Sequence, residues 1–226
     1  MLMVLLVVGS GCLTSAQEGA ASPKRGRDRL EFRYVAEEGI PRDSAAEERR
    51  DFAVLEAALN DLASPKNPEY KHWIKNAGPG REIVVADRFC TYKGDSQDEH
   101  LEESRNIDHE DPRTPPAEIR ADFKRRNAGP ARSLTGFRPA NRNIVVRDLD
   151  QLFDKADDPL EEFRKQHPTA WGFVWASAPG YSKDGQTAVV LFEGGPNGSH
   201  GLDWTYCLTR KSKRWEVQWR HLRPRE

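Results

Sequence analysis

The last third of the chain alternates apolar and polar residues with a period of two, four times over. Trp171, Phe173 and Trp175 fall in step, as do Ala188, Val190 and Phe192, then Trp204, Tyr206 and Leu208, then Trp215, Val217 and Trp219. A period of two is the repeat of a pleated strand with one face against a core, because successive side chains point to opposite sides. Turn-forming stretches separate the segments: Pro179-Gly180 through Asp184-Gly185, Gly194 through Gly198, and Lys211-Ser212-Lys213. Short turns join antiparallel neighbours, so the pattern predicts a four-stranded antiparallel meander.

Upstream the period changes. Phe52, Leu55, Leu59 and Leu62 fall on one helical face, Ser44 and Glu47 have capping-box spacing, and Ser64-Pro65 ends the run, so a helix is expected over 44–62. Ile83 to Phe89 reads as a strand with Cys90 at its end, Pro115 to Asn127 as a short helix, Asn143 to Arg147 as a strand, and Leu149 to His167 as helical pieces broken at Pro159 and Pro168. The fold class is α+β: N-terminal helices, then a mainly antiparallel sheet that closes on the meander. A length of 226 residues suits one domain.

Met1 to Val8 are apolar throughout, and Gly9, Ser10, Gly11 and Cys12 follow as small residues. A membrane-spanning helix needs about 20 apolar residues, so the run reads as a leader for export from a bacterial cytoplasm. Two cleavage readings compete: Cys12 as the lipidated first residue of a lipoprotein, which would anchor the chain to a membrane, or Ala16 as the end of a secretory Thr-Ser-Ala site. Residues 17–30 mix Gly, Ser, Pro and charge without apolar periodicity and read as a flexible tether. The organisation expected is a leader over 1–16, the tether, and a single domain over 31–226. The address is the periplasm, the outer envelope or the medium.

The C-terminal segment also resembles something known. Ser177 with Gly180-Tyr181-Ser182, Gln186-Thr187-Ala188-Val189-Val190, Gly198 with Gly201, Tyr206 with Leu208, and Trp215-Glu216-Val217 are similar to the C-terminal sheet of a loose family of uncharacterised exported or lipid-anchored bacterial proteins. The pieces over 119–127 and 143–147 are similar to it too. The resemblance implies a compartment and a fold, and no activity or cofactor. Family members often carry Cys-Gly in the link where this chain has His200-Gly201.

Several constellations deserve weighing for chemistry. Ser177, His200 and Asp203 offer the residue types of a hydrolytic triad, but no Gly-x-Ser-x-Gly elbow surrounds Ser177. The plainer reading makes Ser177 a strand end, His200 a turn residue and Asp203 an outward position. Five of the six tryptophans crowd into residues 171–219; exposed they would form a platform for carbohydrate or aromatic ligands, and in phase with aliphatic neighbours they read as core. The eight carboxylates between Asp95 and Asp111, with His100 and His109, match no EF-hand loop or HExxH helix and read as a solvated loop rather than a metal site. No cofactor motif is present. A formal net charge of −1 gives the whole molecule no footprint for nucleic acid or for anionic lipid, and the cations of the last strand region read as charge that protects a sheet edge. With Cys12 lipidated or removed, Cys90 and Cys207 remain; an oxidising compartment would let them pair as a disulfide, and otherwise each is a small apolar core residue.

The function expected is that of a non-enzymatic envelope or secreted protein that binds or braces. The alternatives are a hydrolase using the Ser177/His200 region and a carbohydrate or aromatic-ligand binder using the tryptophan-rich sheet.

Overall fold

Val54, Leu55, Ala58, Leu59 and Leu62 recur at the three- and four-residue spacing that gathers side chains along one helical face, and all five are buried in helix α1 (Ser44–Leu62). The computed structural model describes residues 44–67, 82–91, 114–196 and 202–224. Cys12, the leader and tether, the acidic stretch 95–111, and His200 with most of the Gly-rich link lie outside them. After α1 come β1 (Glu82–Cys90), α2 (Ala117–Asn127), β2 (Ile144–Arg147), α3 (Leu149–Lys155), α4 (Pro159–Gln166), β3 (Ala170–Ser177), β4 (Gly180–Tyr181), β5 (Thr187–Pro196), β6 (Leu202–Lys211) and β7 (Arg214–Pro224). Asp148 and Asp158 cap α3 and α4 by accepting from the Gln151 and Glu161 N–H groups, and Pro159 occupies the first turn of α4, where its missing N–H costs nothing.

The strands form one seven-stranded sheet in the order β2-β1-β3-β5-β6-β7, with the two-residue β4 paired to β5. The expected meander is its antiparallel half, β3-β5-β6-β7. The other half is parallel: β1 pairs with β2 on one side and β3 on the other. Helix α1 packs on one face with Ile83, Val85, Val190, Trp204 and Tyr206, while α2, α3 and α4 bring Ile119, Phe123, Leu149, Leu152 and Phe163 to the opposite face against Val84, Val189 and Leu191. The architecture is therefore α+β in three layers, and the central strands bury both faces. That explains the unbroken apolar run Ile83-Val84-Val85-Ala86, in which alternation is faint because neither side meets water.

Two bulges change which tryptophans share a face. Glu82 pairs with Ala170 and the next residue, Ile83, pairs with Gly172, so Trp171 is an extra residue in β3. It turns away from Phe173 and Trp175 to join the α1 side, where its ring lies 5.9 Å from that of Trp204. In β7, Cys207 pairs with Trp219 and Leu208 with Val217, which leaves Gln218 as the extra residue. Trp215 and Val217 consequently face α1, and Trp219 faces the other way. The expected triplets 171/173/175 and 215/217/219 are thus each broken by one insertion, whereas 188/190/192 and 204/206/208 hold.

The expected disulfide does not form. Cys90 and Cys207 are both buried thiols on the same side of the sheet, but β3 and β5 lie between their strands. Three strand spacings of about 4.8 Å put their backbones roughly 14 Å apart, twice the span that a disulfide bridges. Burial pushes the Cys207 thiol up to about 11. Two glycines are required by close approach. A Cβ on Gly180 would stand 2.6 Å from the Cβ of Phe123 and 2.7 Å from its backbone, and one on Gly194 (φ 148°) would stand 2.1 Å from the Phe173 carbonyl oxygen.

Trp204 is 1% exposed at the centre of the α1 face, and Trp215 is 9% exposed beside Tyr181 near the sheet edge. Emptying a buried aromatic site costs about 3–5 kcal/mol, so Trp204→Ala is expected near the top of that range and Trp215→Ala near the bottom. Urea denaturation measures both. An unshifted midpoint for Trp215→Ala would place that ring outside the core.

Candidate functional site

Apart from Asn67, which donates to the Asp61 carbonyl just past the end of α1, the buried polar residues fall into two groups, one at the N-terminal half of α1 and one on the far face of the sheet. The first is built around Asp51, which occupies the apolar stripe of α1 one turn before Leu55 and is fully buried. Its carboxylate accepts two hydrogen bonds from Arg126 Nη2 (2.7 and 2.8 Å), one from the Tyr181 hydroxyl (2.8 Å), and an ion pair from Arg132 Nη1 (2.9 Å). Each donor comes from a different part of the chain. Arg126 projects from α2 in phase with Ile119 and Phe123. Arg132 is held by the Phe89 N–H donating to its carbonyl (2.9 Å). Tyr181 belongs to β4, and its own N–H donates to Asp122 of α2 (2.9 Å).

Glu47, one turn before Asp51, accepts from Arg126 Nη1. The Arg50 guanidinium lies 3.8 Å from the centre of the Tyr181 ring, a cation–π contact that closes the group. Beside it, the Asn127 side chain donates to the Phe123 and Ala178 carbonyls (2.9 Å each) and accepts from the Ala178 N–H (2.8 Å), which fastens the end of α2 to the link between β3 and β4. The electrostatics follow from this arrangement. Burial and then the Asp51 charge raise the Tyr181 phenol well above its ordinary range, so it stays a donor. Burial lowers the Arg126 guanidinium, but Asp51 and Glu47 outweigh it and the net direction is up. For Glu47 burial alone would raise the carboxyl; Arg126, with Arg132 and Arg50, overrides it and holds the group below the usual range.

The second group lies on the side of the sheet away from α1. Glu193 of β5 and Asp203 of β6 are direct ladder partners, and each is only 6% exposed. Trp175 stands opposite Glu193 in β3, Arg223 stands opposite Asp203 in β7, and Thr205, two residues along from Asp203, stands opposite His221. Directly opposed side chains in an antiparallel ladder have Cβ atoms about 4.5–5.5 Å apart, and like charges there repel. Among the described residues no other pair of buried carboxylates shares a ladder position. Asp203, read from sequence as an outward position, is instead part of this buried pair.

Ser177 is fully buried, with its Oγ accepting from the Leu191 N–H (2.9 Å). Strand β5 separates it from Asp203, two spacings or about 10 Å away, so the structure does not bring these two together. Trp171 and Trp175 are 3% and 7% exposed, and of the tryptophans between 171 and 219 only Trp219 is half-buried. A shallow groove of about 680 Å³ between α3 and α4 is acidic, but Asp148 and Asp158 in its wall are the helix caps. Among the described residues no group of three or more His, Cys, Asp or Glu side chains is placed to hold a metal ion. Asp51, Arg126 and Glu193 were not singled out by sequence. The signal was there, since each is a charged residue at a position in phase with its element's apolar face. Comparison with protein-family models, curated proteins and solved structures finds no match to this chain.

Removing the charge at Asp51 leaves Arg126 and Arg132 facing a neutral group in a desolvated site, and breaking a buried pair from one side costs about 3–5 kcal/mol. Asp51→Asn is expected to lose that much at neutral pH. Glu47 has a depressed pKa in the folded state, so its contribution is present above the ordinary glutamate value and is lost as pH falls through the folded one. Denaturation midpoints at neutral and acid pH should therefore fall further apart in the wild type than in Glu47→Gln; an equal fall would refute the coupling.

Proposed function

We propose that this chain works outside the bacterial cytoplasm as a non-enzymatic envelope or secreted protein, held through a lipid on Cys12 or released after Ala16, and that its domain binds or braces. The observation that carries the reading is what the Asp51 group is occupied with. Its carboxylate is taken by donors from α2, the Arg132 segment and β4, and Asn127 is spent on the backbone of Ala178. Polar chemistry used in this way makes a rigid platform, and groups so committed hold no reacting atom. Export is supported by the apolar run Met1 to Val8 and the small residues after it. No helix among the described residues is long and apolar enough to cross a membrane.

The Glu193–Asp203 pair favours one other reading, a hydrolase. Two carboxylates close together on one face are what glycoside hydrolysis uses, one as acid and one as nucleophile or base. Were this the activity, Glu193→Gln and Asp203→Asn would each abolish turnover of whatever glycoside or ester the wild type cleaves. A wild type that cleaves none of a broad panel of chromogenic glycosides and esters removes the reading.

Cell fractionation with intact-mass measurement of the purified chain tests the main proposal. The chain is expected outside the cytoplasm, shortened by eleven residues and carrying lipid on Cys12, or shortened by sixteen. Intact Met1 recovered from the soluble cytoplasm would overturn it.

A further inference from the structure

We propose that the end of the sheet formed by the β6–β7 hairpin tip and the β4–β5 turn is a docking surface for an anionic phospholipid bilayer. Arg210, Lys211, Lys213 and Arg214 lie within five residues at this tip and are all exposed. The neighbouring turn adds exposed Lys183, and the two are joined by the Arg210 N–H donating to the Gln186 carbonyl (2.7 Å). Against these five cations stand Asp184 and Glu216 on the same two turns, in a chain whose formal net charge is −1. Five cations against two acids leave the tip a local excess of three positive charges.

The ladder makes the concentration costly for the isolated protein. Lys211 is the direct partner of Arg214, and like charges directly opposite each other destabilise a hairpin. Lys211 finds Glu216 at 2.8 Å, an exposed ion pair worth little by itself. An external layer of negative charge removes the repulsion. A bilayer fits better than a nucleic acid or an acidic protein. The last β5–β6 ladder partners are Thr187 and Thr209, so Lys211 to Arg214 extend past the β5 ladder at the hairpin tip. Its nearest ring, Trp215, is 9% exposed, so no open aromatic face is offered for base stacking. A cationic hairpin tip that extends past its neighbouring strand fits a flat charged plane, and clusters of four to eight Lys and Arg are what anionic membranes attract.

The proposal rests on the envelope reading, and the two fail separately. Vesicle binding is a property of purified protein whatever its address in the cell, and fractionation reports the address whatever the vesicles do. The test is co-sedimentation of the full chain with vesicles of phosphatidylglycerol and phosphatidylcholine in equal parts, and with phosphatidylcholine alone. The apolar N-terminus and its cations Lys24, Arg25, Arg27 and Arg29 are common to wild type and variants, so the difference between wild type and variant on anionic vesicles reads the hairpin. Partition is expected to favour the anionic vesicles and to fall at least about tenfold in K213E/R214E, since each basic residue near the surface contributes several-fold. Raising salt from about 0.1 M to about 1 M, which shortens screening from about 10 Å to about 3 Å, should abolish the preference. Both substituted side chains are exposed, so the denaturation midpoint should hold; if it moves, Lys183→Glu on the adjoining turn must weaken partition in the same direction. Equal partition onto both vesicle types, anionic binding kept by the variants, or retention of duplex DNA in place of anionic vesicles would each overturn the proposal.

Discussion

A fully buried carboxylate in the middle of an apolar helix face is expensive unless donors converge on it, and Asp51 draws its donors from three places that are remote in sequence. Helix α1 cannot pack on the sheet through Asp51 until α2 has delivered Arg126, β4 has delivered Tyr181, and the segment after α2 has delivered Arg132. The requirement runs in the other direction too. Arg126 is as deeply enclosed as Asp51, and in any arrangement that displaced α1 it would be a buried cation with no anion. Hydrophobic contacts are tolerant of sliding, whereas charge-assisted hydrogen bonds from one guanidinium, Nη2 to both Asp51 oxygens and Nη1 to Glu47, are directional. The Asp51 group therefore fixes the register of α1 over the sheet, and the apolar stripe supplies the driving force.

At its other end α1 is tied by a weaker version of the same device. Asp61 accepts from Arg220 of the edge strand (3.0 Å). There burial outweighs Arg220 and Tyr206, and the Asp61 carboxyl is raised rather than lowered. One arginine and the Tyr206 hydroxyl do not offset the desolvation of this carboxylate. The bulge at Gln218 makes this contact possible, because without it Arg220 would point away from α1. The same extra residue interrupts the outer edge of β7 and twists it, which hinders pairing with another chain. It also places Glu216 and Arg220 on opposite faces, so two copies of β7 laid antiparallel about Gln218 would not match these charges. One insertion thus orients Arg220 and protects the edge.

Much of the architecture was legible because it depends on local periodicity. The bounds of α1, the four strands of the meander and the presence of short helical pieces over 149–167 follow from patterns a few residues long. What was not legible depends on relations between distant segments. The parallel pairing of β1 with β2 and β3 leaves no mark on any one strand beyond its apolar run. A bulge exists only relative to a partner strand, which is why Trp171 and Trp219 were assigned to the wrong faces. The Cys90–Cys207 pairing needed the order of strands in the sheet, and nothing in the spacing of two cysteines reveals that two strands lie between them. The polar groups could have been found: Asp51 falls in phase with Leu55, Ala58 and Leu62, Arg126 with Ile119 and Phe123, and Glu193 with Val189 and Leu191.

The two buried polar groups differ in one physical respect. Around Asp51 and Glu47 the acids are outnumbered by Arg50, Arg126 and Arg132, so the group closes on itself. The ladder position shared by Glu193 and Asp203 places two acids side by side, and the partner of Asp203 on its other flank is Arg223 of β7, so an acid–acid neighbour and an opposite-charge neighbour meet at the same level of the sheet. The two sides are thus built differently: the α1 side closes an arginine-rich group around two acids, and the opposite side carries Glu193, Asp203, Thr205 and His221 as a row of buried or half-buried polar residues within β5, β6 and β7.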